Sequence, residues 1–321
     1  MPRKCDNAQK EPAVKVLLTL LSLAVLTFGA DLRPKKTIKL DSPALDMVVK
    51  NSKLYACSER GDIYEKWQKT KKLYTLPQTI TPGGTKGVQK ALTLDIATSG
   101  SAAVGAEDGY LYLSKGNTLV KSGFSTTSVI KKISFVSDNL ILIGLVSSQI
   151  ILFDTVKNKT VYSVQAGTSP FSDLAISNDK KTAVIGGEAG TVYLLDIPSG
   201  KIKKAYKNVN LDNIYKIDYQ SGIVITAGQD RKATVMTDGG IIKAKFEGEF
   251  LIYAAALNPS ATKAAVATKE QNDIEVFDVS SKTKIAVAKG LSSTLNRIVF
   301  LNENEFAACA DENKILIWGI K

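Results

Sequence analysis

The sequence predicts an all-β fold, a seven-bladed β-propeller. The first ground is a cassette that recurs about every 41 residues. Each copy holds an apolar run, a polar turn and a second apolar run that often ends in an aromatic and an aspartate. The second runs begin at Ile63, Tyr110, Ile150, Val192, Ala233, Ile274 and Ile315. A period of about 40–45 residues with strand-like runs marks a propeller of four strands per blade. The second ground is that no single cassette buries its own faces, so the copies must stack into one closed domain. The third is a pair of loose ends. The last cassette lacks its outer strand, and Lys36-Thr37-Ile38-Lys39-Leu40 precedes the first cassette with no blade of its own. Joining them closes the ring and removes an exposed edge. The expected partner is the third strand of the last blade, near Ile315 to Trp318.

The first 30 residues read differently. Arg3, Lys4, Lys10 and Lys15 precede an apolar run from Val16 to Phe28. That run is shorter than the about 20 residues a membrane span needs. A charged start, a short apolar run and the small residues Gly29-Ala30 make a cleavable secretory signal, with 31–321 as the propeller domain. Cleavage after Gly29 places Thr27 at the −3 position and is better than cleavage after Ala30, which places Phe28 there. A buried N-terminal helix or an uncleaved anchor is the alternative. Val14 would make an ordinary signal start, so Met1 to Ala13 reads as an upstream extension. With no cysteine at the cleavage point, a lipoprotein is not expected. Export implies an extracytoplasmic compartment. The sparse cysteines, and a single Asn158-Lys159-Thr160 glycosylation triplet at chance level, point to a bacterial periplasm.

The fourth blade shows the grammar of the repeat. Phe171 to Ser177 alternates as an inner strand, and Asn178 to Lys181 is a polar hairpin turn. Thr182 to Gly186 follows as the second strand, Glu188 to Gly190 as a tight turn and Thr191 to Asp196 as the third strand. Pro198-Ser199-Gly200 then turns the chain into an outer strand, Lys201 to Tyr206. The sixth blade repeats it: Ile252 to Leu257, Lys263 to Thr268, Ile274 to Asp278 and Ile285 to Ala288. The last runs Asn296 to Leu301, Glu305 to Ala310 and Lys314 to Ile320. One loop is long, Thr79 to Gln89, and long loops in compact domains are often functional; tolerated surface drift is the other reading.

Beyond the leader's Cys5, two cysteines remain. Cys57 and Cys309 share one blade position, filled elsewhere by Val104, Gly144, Gly186, Ala227 and Thr268. A small residue is needed where neighbouring sheets pack, so two buried thiols are expected. The first and last blades become neighbours on closure, which leaves a disulfide open. Stacked sheets lie about 10 Å apart, beyond the about 7 Å reach of a bridge, which argues against it.

These repeats resemble the WD40 propeller family over about residues 36 to 321. Phe153-Asp154, Leu195-Asp196, Phe277-Asp278 and Trp318-Gly319 stand where that family has Trp-Asp. The chain has no histidine, so the family's hydrogen-bonded histidine network is expected to be absent, and the chain reads as a divergent bacterial member. A narrower similarity lies in the last three blades. Gln229 to Lys232, Phe250 to Ala254, Asn272 to Asp278 and Phe300 to Glu303 are similar to the NapL family, accessory proteins encoded with periplasmic nitrate reductase in some bacteria. That resemblance implies a partner among periplasmic nitrate reductase components and carries no catalytic residues across.

The same absence of histidine removes an imidazole base, Ser-His and Cys-His pairs, and histidine-ligated metal or haem. Gly186-Gly187 and Gly239-Gly240 are turn glycines rather than phosphate cradles. No cofactor, metal or catalytic residue is expected. Carboxylates alone could serve glycoside hydrolysis, and their clustering in the central channel would favour a propeller hydrolase. The expected function is instead non-enzymatic protein binding by a monomer, without nucleic acid or stable membrane insertion. An envelope-assembly or anionic-polymer-binding propeller is the alternative.

The net charge is +11, and about +9 without the leader, which suggests an acidic partner. Sorting the turns by face separates the signs. The second-to-third-strand turns hold Glu59, Glu107, Asp108, Glu188, Asp230, Asp273, Asp311 and Glu312. The third-to-fourth-strand turns and their flanks hold Lys66, Lys69, Lys71, Lys72, Lys115, Lys157, Lys159, Lys201, Lys203, Lys204, Lys282 and Lys284. All of these lysines except Lys115 are the candidate partner-binding residues. The competing reading is that they solubilise the outer edges.

Overall fold

The computed structural model describes residues 29–66, 68–80 and 84–320. The leader and the tip of the long loop, residues 81–83, lie outside the described residues. Among the described residues, seven blade sheets, each built on four antiparallel strands, follow one another around a central channel. Blade one comprises Ala44–Lys50, Lys53–Ser58, Asp62–Lys66 and Thr70–Thr75 from the centre outwards. Blade four comprises Phe171–Ile176, Thr182–Gly187, Val192–Asp196 and Lys201–Tyr206, within a residue of the sequence reading. Blades two, three and five repeat this order.

Blade seven closes as the loose ends suggest. Lys36–Lys39 is its outer strand, antiparallel to Lys314–Gly319. The register places Lys36 opposite Ile317, Thr37 opposite Leu316, Ile38 opposite Ile315 and Lys39 opposite Lys314. Ile38 and Leu40 face inward at 3% and 8% exposure and anchor the join.

A second N-terminal strand was not expected. Ala30–Leu32 adds a fifth strand to blade six, parallel to Lys284–Ala288. Leu32 enters the core shared by blades six and seven. Asp31 meets the Lys289 ammonium at 3.1 Å. One short segment thus covers the outer edges of two adjacent blades. The inner strand of blade six is shorter than the sequence suggests, Ala255–Leu257 instead of Ile252 to Leu257.

The repeat frame also needs two corrections. Cys57 stands opposite Ile63, Gly144 opposite Ile150, Gly186 opposite Val192 and Cys309 opposite Ile315. The equivalent pairs in blades two and six are Gly105 with Leu111 and Ala267 with Ile274. The small-residue row therefore runs through Gly105 and Ala267, not Val104 and Thr268. At Gly105 an added Cβ would fall 2.6 Å from Ile130 of blade three, which explains the demand for a small residue. Cys57 and Cys309 are both free and fully buried. Burial pushes both thiols up, Cys309 to about 12.

Between the sheets lie seven apolar clusters, one for each pair of neighbouring blades. Aromatic pairs reinforce several: Phe306 stacks on Trp318 at 5.3 Å and Phe246 on Phe277 at 4.3 Å. The long loop between blades one and two contains a small hairpin, Thr79–Ile80 against Lys86–Gly87.

Candidate functional site

The lysines of the third-to-fourth-strand turns do not behave alike. In blades three, four and six the turn follows a strand that ends in aspartate, and the aspartate is turn chemistry. Asp154 accepts the amides of Val156 and Lys157, and Asp278 that of Ser281 at 2.7 Å. In blade four Asp196 accepts the amide of Ser199. These bonds help hold the Asp154 and Asp278 carboxyls below their usual range; at Asp196 the Lys203 ammonium leads. The same carboxylates neutralise nearby lysines: Lys157 lies 3.5 Å from Asp154 and Lys203 2.5 Å from Asp196. Lys284 pairs with the buried Glu275 at 2.9 Å, and Lys72 with Asp41 and Asp62 at 2.7 and 3.1 Å. Lys69, Lys71, Lys159, Lys201, Lys204 and Lys282 make no side-chain ion pair among the described residues.

A group of lysines without an ion pair lies where blade seven meets blade one. Lys66 ends the third strand of blade one, and Lys36 begins the closing strand of blade seven. Partial burial, followed by the Lys36 ammonium beside it, lowers the Lys66 pKa. The Lys66 ammonium donates to the Gln68 carbonyl at 2.6 Å. Exposed Lys69 and Lys71 continue the patch along the turn and the outer strand. Lys36 was read only as a closing strand residue, because nothing local to it says which blade it will border.

On the opposite face the carboxylates mostly hold their own turns. Asp108 accepts the Tyr112 hydroxyl at 2.7 Å and lies 3.2 Å from the Lys121 ammonium. Asp230 accepts the Asn210 amide group at 2.8 Å, while the Thr226 hydroxyl donates to Asn210 Oδ1 at 2.6 Å. This small network links two loops and a strand through an asparagine, with no imidazole required. Gly61 shows why glycine recurs in these turns. Its φ is +76°, and an added Cβ would fall 2.7 Å from the Gln89 carbonyl oxygen. The same face also carries an aromatic group, with Tyr215 stacked on Tyr253 at 4.9 Å and Phe250 beside it.

Lining the channel is a charge cluster that the strand-by-strand reading missed. Its members sit at one bulged position of the inner strands: Asp46, Thr93, Lys132, Asp173, Lys216 and Arg297, paired with the small-residue row. The Lys132 ammonium lies 2.6 Å from Asp46, and Arg297 Nη1 lies 2.6 Å from Asp173. Arg297 Nε is 3.7 Å from Asp46. Burial raises the Asp46 carboxyl, but Lys132, Arg297 and Lys216 outweigh it and hold the pKa at about 2. Burial lowers the Lys216 pKa, and no side-chain hydrogen bond or ion pair of Lys216 exists among the described residues. The signal that finds this cluster is the repeat itself, which puts a polar residue at the same point of otherwise apolar runs.

The channel carboxylates also stitch neighbouring blades. Asp173 accepts the amides of Leu174 and of Ile217 in blade five. Asp95 accepts those of Ile96 and of Phe135 in blade three. Asp218 accepts those of Tyr219 and of Leu257 in blade six. Asp46 accepts the Met47 amide and the Thr93 hydroxyl of blade two. Carboxylates therefore do cluster in the channel, but both oxygens of each are occupied by structural donors. Among the described residues no group of histidine, cysteine, aspartate and glutamate has metal-binding geometry.

This architecture has a close counterpart among solved proteins. The crystal structure of the WD40 β-propeller domain of Doa1 matches with a TM-score of 0.72, over 90% of this chain and 97% of that one. The fold is a WD40-type propeller. Sequence identity is 15%, so the likeness carries the fold alone. The chain matches no protein-family model and no curated protein. These comparisons do not bear out the narrower resemblance of the last three blades to nitrate reductase accessories. Among the described residues no helix is long and apolar enough to cross a membrane.

Proposed function

We propose that this chain is a non-catalytic docking propeller, exported to the periplasm, that serves as an accessory of periplasmic nitrate reduction. The observation that carries the docking reading is the run of exposed lysines without an ion pair at the junction of blades seven and one, Lys36, Lys69 and Lys71, with Lys66 between them in the third strand of blade one. Like charges gathered there form a patch that an acidic partner would relieve. Lys159, Lys201, Lys204 and Lys282 extend the basic character around the rim, while Lys72, Lys157, Lys203 and Lys284 are already neutralised in place. The non-catalytic reading is supported by the engagement of every channel carboxylate described above. The leader layout supports export, and the motifs of the last three blades support the nitrate reductase partner.

Association with a periplasmic nitrate reductase should be fast and weaken with salt, because exposed charges are screened beyond about 8 Å at physiological ionic strength. Reversing Lys36, Lys66, Lys69 and Lys71 to glutamate should slow association at least about tenfold. Reversing Lys157 and Lys203, which already face carboxylates, should matter much less. Stability should change by about 0.5 kcal/mol or less at each exposed site. Surface plasmon resonance at two salt concentrations reads both effects. Binding indifferent to the four reversals but lost on Tyr215→Ala and Tyr253→Ala would move the docking surface to the other face. Co-purification with outer-membrane proteins instead of the reductase would favour the envelope-assembly alternative.

Cell fractionation checks the compartment. The mature chain should be recovered from the periplasm, shortened by about 30 residues. Cleavage after Gly29 retains the whole of Ala30–Leu32 for blade six. A full-length cytoplasmic product refutes export and, with it, a periplasmic partner.

A further inference from the structure

The central channel opens, on the face carrying the inner hairpin turns, into a void of about 350 Å³. Its charged lining is Lys50, Lys132, Lys180 and Arg297 against Asp95 and Asp218. Lys132 and Arg297 are engaged by Asp46 and Asp173 deeper in the channel. Asp95 and Asp218 each have both oxygens on backbone amides, and burial pushes their carboxyls up, towards the neutral form.

That leaves Lys50 and Lys180. They come from blades one and four, on opposite sides of the ring, and both are half-buried. Neither ammonium has an ion pair or hydrogen bond among the described residues. They lie near enough that the Lys50 charge, after burial, lowers the Lys180 pKa. Further in, Lys216 is also an unpaired cation, and Arg297 Nε is buried without a hydrogen-bond acceptor. Positive charge therefore converges on a polar void from several blades without equal negative charge. Burying like charges together without a counterion is costly. Asn178 and Gln220 at the same mouth add neutral polar groups.

We propose that this mouth binds a compact oxyanion carrying two or more negative charges, held between Lys50 and Lys180. The size of the void admits a phosphate or a small polycarboxylate and excludes a folded partner. The site is separate from the rim patch at Lys36 and Lys66, so either can fail without the other.

Calorimetric titration of the mature protein with inorganic phosphate, and separately with citrate, tests the site. Sodium chloride at matched ionic strength is the control. The expected result is saturable one-to-one binding of at least one of the two, with a rise in melting temperature of several degrees at about 100-fold excess over Kd. Which of the two saturates distinguishes a phosphate from a carboxylate ligand. The double variant Lys50→Gln, Lys180→Gln should weaken binding at least about 100-fold. Its ligand-free melting temperature should be unchanged or higher, since a repulsion is removed. Lys201→Gln, on an outer strand, should bind as the parent does. No saturable binding beyond the chloride control overturns the proposal, and so does a double variant that binds like the parent.

Discussion

Deleting residues 30–40 should lower the melting temperature by about 10–20 °C and leave a protein that aggregates on heating. The segment buries Leu32, Ile38 and Leu40 at 8%, 3% and 8% exposure. Full burial of such side chains stabilises by about 1.5–3 kcal/mol each. The loss is then roughly 5 kcal/mol or more, against a total of about 5–15 kcal/mol for a domain. At about 2–4 °C per kcal/mol for a chain near this size, the shift is readily seen by calorimetry. Two edges are uncovered at once, Lys314–Gly319 of blade seven and Lys284–Ala288 of blade six. Unpaired edges recruit other chains, hence the aggregation. Ile38→Ala isolates the closing strand and should cost about 2–4 kcal/mol. A deletion with an unchanged melting curve would show that the ring closes without this segment.

The closing strand was legible and its neighbour was not, for physical reasons. Ile38 and Leu40 alternate with Thr37 and Lys39, and the last cassette lacked a strand. Ala30–Leu32 has three residues and no alternation, and it directly follows the apolar run from Val16 to Phe28. Its partner is a parallel edge that exists only once blade six has formed. The frame slip in blade two has a similar origin. Tyr110 and Leu111 both suit a strand start, and a one-residue shift moves every side chain to the other face. Only the pairing of Gly105 with Leu111 decides.

Charges were legible by face but not by consequence. Lys157 and Lys203 looked like free surface cations, yet the aspartates that mark the repeat ending also neutralise them. The channel cluster was harder to see. Asp46, Lys132, Asp173 and Arg297 are isolated charges within apolar strands, far apart in sequence. Only ring closure brings Arg297 of the last blade against Asp46 of the first and Asp173 of the fourth.

Replacing Arg297 tests that cluster most directly. Arg297→Met should cost about 3–5 kcal/mol, because it leaves the buried Asp173 without its ion-pair partner. Asp46 and Asp173 are almost fully buried, at 3% and 1% exposure. Removing the orphaned carboxylate with Asp173→Asn in the same chain, while Asp46 keeps its ion pair with Lys132, should recover part of the loss. The pH dependence carries the sharper signature. In the parent the Asp46 pKa is about 2, below the ordinary aspartate value of about 3.9. Its stabilising contribution is therefore fully present above about pH 3.9 and is lost as the pH falls towards 2, an effect of about 2–3 kcal/mol. Without the guanidinium, Asp46 loses one of the cations that lower it while Lys132 and Lys216 remain, so its pKa moves up from about 2. The variant's deficit from this group is therefore fully present above about pH 3.9 and shrinks as the pH falls towards 2, where the parent loses the same contribution. Thermal melts of parent and variant between about pH 2 and pH 7 should therefore converge on the acid side. Parallel curves across that range would mean that Arg297 contributes packing at the channel and not the charge that holds the first, fourth and last blades together.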